Sequence, residues 1–384
     1  MKVWFSHKSG SPEHSGNFFR RAFAELGHDV MWATTPTGIV PGDGSGASEP
    51  GYAATASIEA LAAQGGAPPD LFFYTEPFGL IPLGLEAAPF PTACYIHDPH
   101  CDLAPRVLLA KFFDHVFVAQ RDYLERFRQY GARNVWWLPV ACDPKLHREV
   151  DGPKRFDVAF IGSLANSTER ALLIKTLRAE CCVNPQRFYA PDEFASVYGA
   201  AKIVVNWPIA GDLTLRVFEA MASGAFVISR EVENGQEVLF KDGVHLVTVR
   251  TVAEAVEKVR YFLANEGERR KIAEQGRDLV RSEHCWKDRA RQVLQTISTA
   301  PKQSAWIRGQ SPREVIRAYA KLFVMWRIVD PVFALIRFSR RSGRPWRWLL
   351  PYVLAANMKA LNHELRLLTP LRAALRGSAA SKRS

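Results

Sequence analysis

The chain has 384 residues, 47% of them hydrophobic, and a formal net charge of +11, which describes a globular protein with room for two domains that each bury a core. The charge suggests a nucleic-acid partner until it is divided by position: residues 301–384 hold 17 Lys or Arg against Glu314, Asp330 and Glu364, a net of +14, so residues 1–300 carry −3 and the basic character belongs to a C-terminal appendage. The six cysteines show no CxxC pair and no regular spacing, which argues against a disulfide framework and for free thiols in a reducing compartment.

The opening "MKVWFSHKSG" has no long apolar run after its lysine, so neither a signal peptide nor a membrane span is expected to begin there, and a cytoplasmic location is expected. "KVWFS" reads as a buried strand, and "SGNFFRRAFAELGHDVMWAT" as a helix closed by Gly27 followed by a second strand, a βαβ unit. Residues 36–52, rich in Gly, Pro and Ser, read as a loop. Short apolar runs with β character follow at 70–75, 91–97 and 115–119, separated by helical or turn segments, which implies a parallel sheet covered on both faces.

The polar stretch 143–156 with its two prolines reads as a linker, and the pattern then restarts. "DVAFIGS", "QRFYA", "KIVVNW", "AFVISR" and "HLVTV" are expected strands, "ERALLIKTLRAE", "DEFASVYGAA", 214–222, "VAEAVEKVRYFLAN" and "GERRKIAEQGRDLV" expected helices. The expected architecture is α/β: two Rossmann-like doubly wound domains, 1–145 and 155–298, then a basic amphipathic helical extension over 301–376 and a disordered tail over 377–384. In the extension Arg313, Arg317, Lys321 and Arg327 share one sector of a helical wheel, with a break expected before Pro331.

Ligands of doubly wound sheets bind at the carboxyl ends of the strands. Near one such end Asp212 or Thr214 is placed to cap a helix whose free N–H groups suit an anion, Arg216 adds a full positive charge, and Glu219 suits a diol such as a ribose. Phosphate beside ribose describes a nucleotide. The competing reading is an ordinary surface pair at i,i+3. "YIHDPHCD" is the other dense cluster. Its spacing fits no common zinc set, and His97 or Asp98 is placed to take a proton at a strand end.

"RVFEAMASGAFVIS", "NGQEVLFKDGVHLV", "ERRKIAEQGRDLV" and "HCWKDRARQVL", with "LPVACDPKLH", "FDVAFIGSLANSTERALLI" and "VYGAAKIVVN" before them, resemble GT-B fold glycosyltransferases of the spore-maturation type and, more distantly, glycosyltransferase family 4. The resemblance covers residues 90–298 well and the first domain loosely. It implies a nucleotide-sugar donor held by the second domain, an acceptor held mainly by the first, and transfer between them. On that basis Glu219 matches the ribose-binding carboxylate, Gly235, Gln236 and Glu237 a loop beside the nucleotide, and Gly162 and Ser163 a loop approaching the diphosphate, with Arg170 a phosphate partner. Family 4 enzymes usually carry another glutamate eight positions before the ribose-binding one, and Gly211 stands there.

Donor contacts are further expected from Thr214, Arg216, Asn206, and from His14 and Gly16 between the first strand and first helix; Asp98, His97 and Arg216 are the expected catalytic groups. No DxD motif stands where a metal would be held, so no metal and no cofactor are expected, and helix N-termini and cations would stabilise the leaving diphosphate. The expected function is a hexosyltransferase-type glycosyltransferase acting on a glycan, lipid-linked or other hydroxyl acceptor in cell-surface polysaccharide or glycoconjugate biosynthesis. The alternatives are a non-catalytic scaffold, favoured by Gly211, and a sugar-nucleotide epimerase or hydrolase. The extension, over 311–368, suits packing on the first domain, an anionic membrane surface, or another subunit; nucleic acid is not an expected partner.

Overall fold

The computed structural model describes residues 1–7, 15–34, 38–41, 56–65, 67–76, 81–165, 167–301, 304–326, 330–341, 347–352 and 354–355. The first domain is a seven-stranded sheet in the order β3-β2-β1-β4-β5-β6-β7. Its strands are β1 (Lys2–Ser6), β2 (Asp29–Thr34), β3 (Gly38–Pro41), β4 (Leu71–Thr75), β5 (Thr92–Ile96), β6 (His115–Val118) and β7 (Val135–Trp137). All pairings are parallel except β2 with β3. β4 and β5 are buried along their whole length, as strands covered on both faces must be.

β3 lies where a loop was expected. "GIVP" is short and apolar, and it adds to the sheet as an antiparallel edge, where a proline is tolerated because one side of the strand needs no donor. α1 (Ser15–Glu25) buries Phe18, Phe19, Ala22 and Phe23, and Gly27 ends it at φ +83°, a left-handed conformation open to glycine at no steric cost. α2 (Ile58–Gly65), α3 (Leu103–Ala110) and α4 (Leu124–Gln129) complete the domain.

The second domain has a four-stranded parallel sheet, β11-β10-β9-β8, from β8 (Phe156–Ala159), β9 (Ala201–Asn206), β10 (Phe226–Arg230) and β11 (Val247–Val249). Around it lie α5 (Thr168–Glu180), α6 (Phe194–Gly199), α7 (Leu215–Ala222), α8 (Gln236–Leu239), α9 (Val252–Ala264) and α10 (Glu266–Glu283). The strand expected in "QRFYA" is absent: the Asn184 amide takes the N–H and C=O of Phe160 at 2.8 and 3.2 Å, the groups a neighbouring strand would have used, and Pro185 has no N–H to offer. Phe188 is left 85% exposed.

The chain then returns. α11 (Trp286–Thr299) packs on α1, with the Trp286 ring stacked on Phe18 at 5.2 Å. α12 (Pro312–Met325) and α13 (Asp330–Arg341) follow, the latter with Pro331 in its first turn, where a missing N–H costs no helical bond. Val315, Ile316, Tyr319, Leu322 and Phe323 of α12 join the core formed by Phe72, Phe112 and Phe113, so the extension packs back on the first domain. Arg313 and Lys321 stay on its exposed face; Arg327, the stretch beyond 355 and the expected disordered tail lie outside the described residues.

Arg308 and Asp114 fasten this extension. Two 2.8 Å charge-assisted bonds join them, Arg308 also donates to the Ala88 and Phe90 carbonyls, and burial, which would raise the Asp114 carboxyl, is outweighed by Arg308 and the Ala305 N–H so that it titrates below its usual range. Arg308→Ala leaves a largely buried carboxylate unpaired and is expected to cost about 3 kcal/mol; a urea titration of the variant against wild type measures it.

Candidate active site

The carboxyl ends of the two sheets face each other. On the second domain, Phe160 just past β8 carries two guanidinium groups on its ring, Arg170 at 5.4 Å and Arg216 at 5.1 Å. Two like charges held against one aromatic ring are a cationic site that costs free energy to build without an anion. Arg170 is 6% exposed and donates to Trp207 O at 2.9 and 2.5 Å and to Ser163 O at 2.7 Å, tying the β8 loop to the end of β9. Burial and the neighbouring Arg216 draw its pKa down to about 10. Arg216 donates from Nε to Ile161 O at 2.6 Å and from Nη1 to Asn206 Oδ1 at 2.8 Å, and its other N–H groups remain unengaged among the described residues.

Gly162 at φ +154° passes directly over Arg216: a Cβ there would lie 2.7 Å from Nη2. Asn206 is buried, donating to Ser229 Oγ at 2.9 Å and accepting from Thr214 Oγ1 at 2.9 Å as well as from Arg216. Its place is to aim Arg216. The Thr214 hydroxyl is thereby drawn from the cap expected of it: Thr214 is the N-cap of α7 by backbone, with no side-chain cap bond, leaving the first-turn N–H groups of α7 without that partner.

Arg216 and Glu219 are not a surface pair. Each is drawn to other partners: Arg216 to Ile161 O and Asn206, while Glu219, 5% exposed, lies 3.7 Å from Nε2 of the fully buried His147. His147 Nδ1 accepts from the Asp143 N–H at 3.1 Å, which places the ring proton on Nε2, toward the carboxylate. Burial first, and Arg21 with it, lower the His147 pKa to about 4 against the pull of Asp143. A histidine depressed below its unfolded value of 6.5 contributes stability above pH 6.5 that is lost as pH falls toward 4. His147→Asn keeps the acceptor and removes the titration; in urea midpoints taken from pH 7 to pH 4, it is expected to flatten the acid loss by about one proton equivalent.

On the first domain, Glu76 follows β4 and is 3% exposed. It pairs with Arg106 of α3, while its Oε2 is buried with no hydrogen-bond partner. Burial dominates and pushes its pKa up to about 7, against Arg106 and with help from Asp98. Asp98 itself is half-exposed, 3.8 Å from His97 Nε2. The Cys101 thiol, raised by burial and by Asp98, also feels Asp212 from the opposite domain, so the 97–106 cluster and the 211–216 loop share one electrostatic environment. Gln120 clamps the lobes with both ends of its amide, accepting from Leu213 N–H at 2.9 Å and donating to Leu213 O at 3.2 Å.

The 234–237 turn sits at the same junction. Gly235, at φ +85°, packs on Trp137, whose ring a Cβ would meet at 2.4 Å; Gln236 is buried; Glu237 pairs with Arg121 of the first domain at 2.6 Å. A cavity of about 1000 Å³ opens there, lined by Arg121, Gln236, Glu237, Phe240 and Arg250 among others. Gly16 makes room for a side chain: a Cβ would lie 2.1 Å from the His7 ring. His14 lies outside the described residues. Among the described residues no group of three His, Cys, Asp or Glu is placed to hold a metal.

Phe160, Glu76, Arg106 and His147 were not singled out in the sequence. Glu76 alone left a signal, a carboxylate directly after the apolar "LFFYT", and so at a strand's carboxyl end.

A glycosyl transferase-like family model matches residues 148–295. Among solved structures, Anabaena Alr3699/HepE in complex with UDP and glucose superposes with a TM-score of 0.51 at 17% identity over 78% of this chain and 100% of that one. Sucrose-phosphate synthase (tll1590) from Thermosynechococcus elongatus gives 0.51 at 13% over 78% and 98%, and a glycosyltransferase from Rickettsia africae ESF-5 gives 0.51 at 9% over 79% and 99%. No curated protein matches the sequence. The fold is GT-B, and with the matched second domain it defines the class, a glycosyltransferase of GT-B type.

Proposed function

We propose that this protein transfers a hexosyl group from a nucleoside-diphosphate sugar to a hydroxyl of a glycan or lipid-linked acceptor, without a metal, in the assembly of a cell-surface polysaccharide or glycoconjugate. The observation that carries the reading is the pair of guanidiniums on Phe160 beside the amino terminus of α7. Together they match the charge that develops on a departing diphosphate. Arg216 supplies the unengaged donors; Arg170, committed to carbonyls, holds the loop of Gly162 and Ser163 in place and contributes its charge. Glu219, one turn further along α7, is assigned to the ribose. The turn at Gly235, Gln236 and Glu237, with its cavity, accommodates the rest of the nucleoside. A neighbour of the same fold was solved with UDP and glucose, which makes uridine the first base to try.

Across the cleft Asp98 receives the acceptor proton, oriented by His97, as the new glycosidic bond forms and the sugar–phosphate bond breaks. No described helix is long and apolar enough to cross a membrane. The exposed basic face of α12 suits a peripheral contact with an anionic membrane on the cytoplasmic side, where a lipid-linked acceptor would lie.

A thermal-shift screen against UDP-, GDP- and dTDP-sugars tests the donor: a ligand at 100 times its Kd adds about 2.7 kcal/mol of stability. A shift with one series, lost in Arg216→Ala, supports the proposal; no shift with any nucleotide overturns it in favour of a scaffold. Release of free sugar at full rate without acceptor would favour a hydrolase.

A further inference from the structure

The chain crosses between the domains twice, and a cysteine stands at each crossing. Cys142 lies between β7 and β8 on the outward path, and Cys285 is the N-cap of α11 on the return, where α10 of the second domain gives way to the helix that packs on α1. The two segments form an isolated parallel bridge at these residues: the Cys142 N–H donates to His284 O and the Trp286 N–H to Cys142 O, each at 3.0 Å. Adjacent strands run about 4.8 Å apart, inside the Cα separation of about 4.4–6.8 Å that a disulfide spans. The two sulfurs are 3.7 Å apart, and closing to about 2 Å needs a side-chain rotation and no movement of backbone.

We propose that Cys142 and Cys285 are a reversible oxidation site, a dithiol that a peroxide converts to a disulfide and so ties together the two crossings of the chain. Both residues line a cavity of about 340 Å³, which admits a molecule the size of hydrogen peroxide to sulfurs that are otherwise buried. Its lining pairs cations with carboxylates, Arg21 with Asp143, Lys145 with Glu25 and Arg291 with Asp288; at Cys285 the charge of Arg289 favours a thiolate while Asp288 and Asp143 oppose it. Cys285 is the nucleophile. It sits at the amino terminus of a 14-residue helix, whose dipole stabilises an anion, and the hydrogen bond from Cys142 draws its pKa down while that of Cys142 rises.

The Cys285 thiolate attacks one peroxide oxygen, giving a sulfenic acid and hydroxide. The Cys142 thiol loses its proton to that hydroxide, giving the first water, and attacks the Cys285 sulfur, expelling the sulfenic oxygen as hydroxide, which takes up from solvent the proton Cys285 released on ionising and becomes the second water. Two thiols lose two protons and two electrons, and the peroxide becomes two molecules of water. Reduction by a dithiol reverses the bond by exchange. The other cysteines show no such pairing: Cys94 is buried, Cys101 is exposed in the first domain, and neighbouring Cys181 and Cys182 bond to different carbonyls. The inference is independent of the donor and acceptor assigned above.

The test treats the reduced full-length protein with hydrogen peroxide, blocks remaining thiols by alkylation, and maps the peptides. The expected product links the peptide containing Cys142 to that containing Cys285, and dithiothreitol returns both to the alkylatable form. In the oxidised protein, hydrogen exchange over 141–143 and 284–286 is expected to slow. With Cys142→Ala, Cys285 is expected to stop at sulfenic acid and react with dimedone. Full alkylation of both cysteines after peroxide, or a linkage of either one elsewhere, overturns the proposal without touching the glycosyltransferase reading.

Discussion

Replacing Arg216 with alanine is expected to lower kcat/KM for glycosyl transfer about 10²- to 10³-fold, the usual cost of removing one preorganised donor from a developing oxyanion, while the protein stays folded. The fold survives because Arg216 is only partly buried and Asn206 Oδ1 keeps its bond from Thr214. What is lost is a cation that stacking on Phe160 and bonds to Ile161 O and Asn206 hold at one point above the β8 loop. Arg216→Lys keeps the charge without the fork that reaches both acceptors, so its rate should fall between the two. Gly162→Ala should resemble Arg216→Ala, because its Cβ would occupy the guanidinium's place. Steady-state kinetics beside circular dichroism decides the matter: unchanged turnover in Arg216→Ala would remove this residue from the site.

Glu76→Gln is expected to make the protein more stable and less active. Glu76 is almost fully buried, and burial holds its pKa near 7 despite the ion pair with Arg106. A carboxyl whose folded pKa lies above its unfolded value of about 4.5 binds more protons folded than unfolded, so the stability present below pH 4.5 is lost as pH rises through 7. By linkage that loss is about 3 kcal/mol at pH 8. Glutamine imitates the protonated form and should recover it, while below pH 4.5 the two proteins should match. On the proposed function, a charge retained at such expense beside Asp98 and His97 would fix Arg106 and the local field where the acceptor binds. Turnover of the variant is expected to drop at least tenfold and to lose any inflection near pH 7. Equal stability at pH 8, with full turnover, would refute both halves.

Five of the seven strands of the first sheet, the four of the second and the helix from 214 were legible in the chain because hydrophobic period and length decide them locally, whereas β7, only three residues long, was too short to read. Gly27 and "LFFYT" carry their own instructions. Two local expectations failed for reasons outside their own residues: "QRFYA" lost its strand to the Asn184 side chain, and "GIVP" gained one from the open edge of β2.

The sequence by itself determined an α/β chain of two such sheets, a basic C-terminal extension and a cation beside a carboxylate at a helix start. Only the tertiary structure decided what those charges meet: Arg216 with Arg170 on Phe160, 46 and 56 residues before it in the chain, Glu219 with His147, and Glu76 with Arg106. The physical reason is that secondary structure follows from neighbours three or four positions apart, whereas a site is made by strand ends that the order of a sheet brings together, and by a burial that no residue possesses alone.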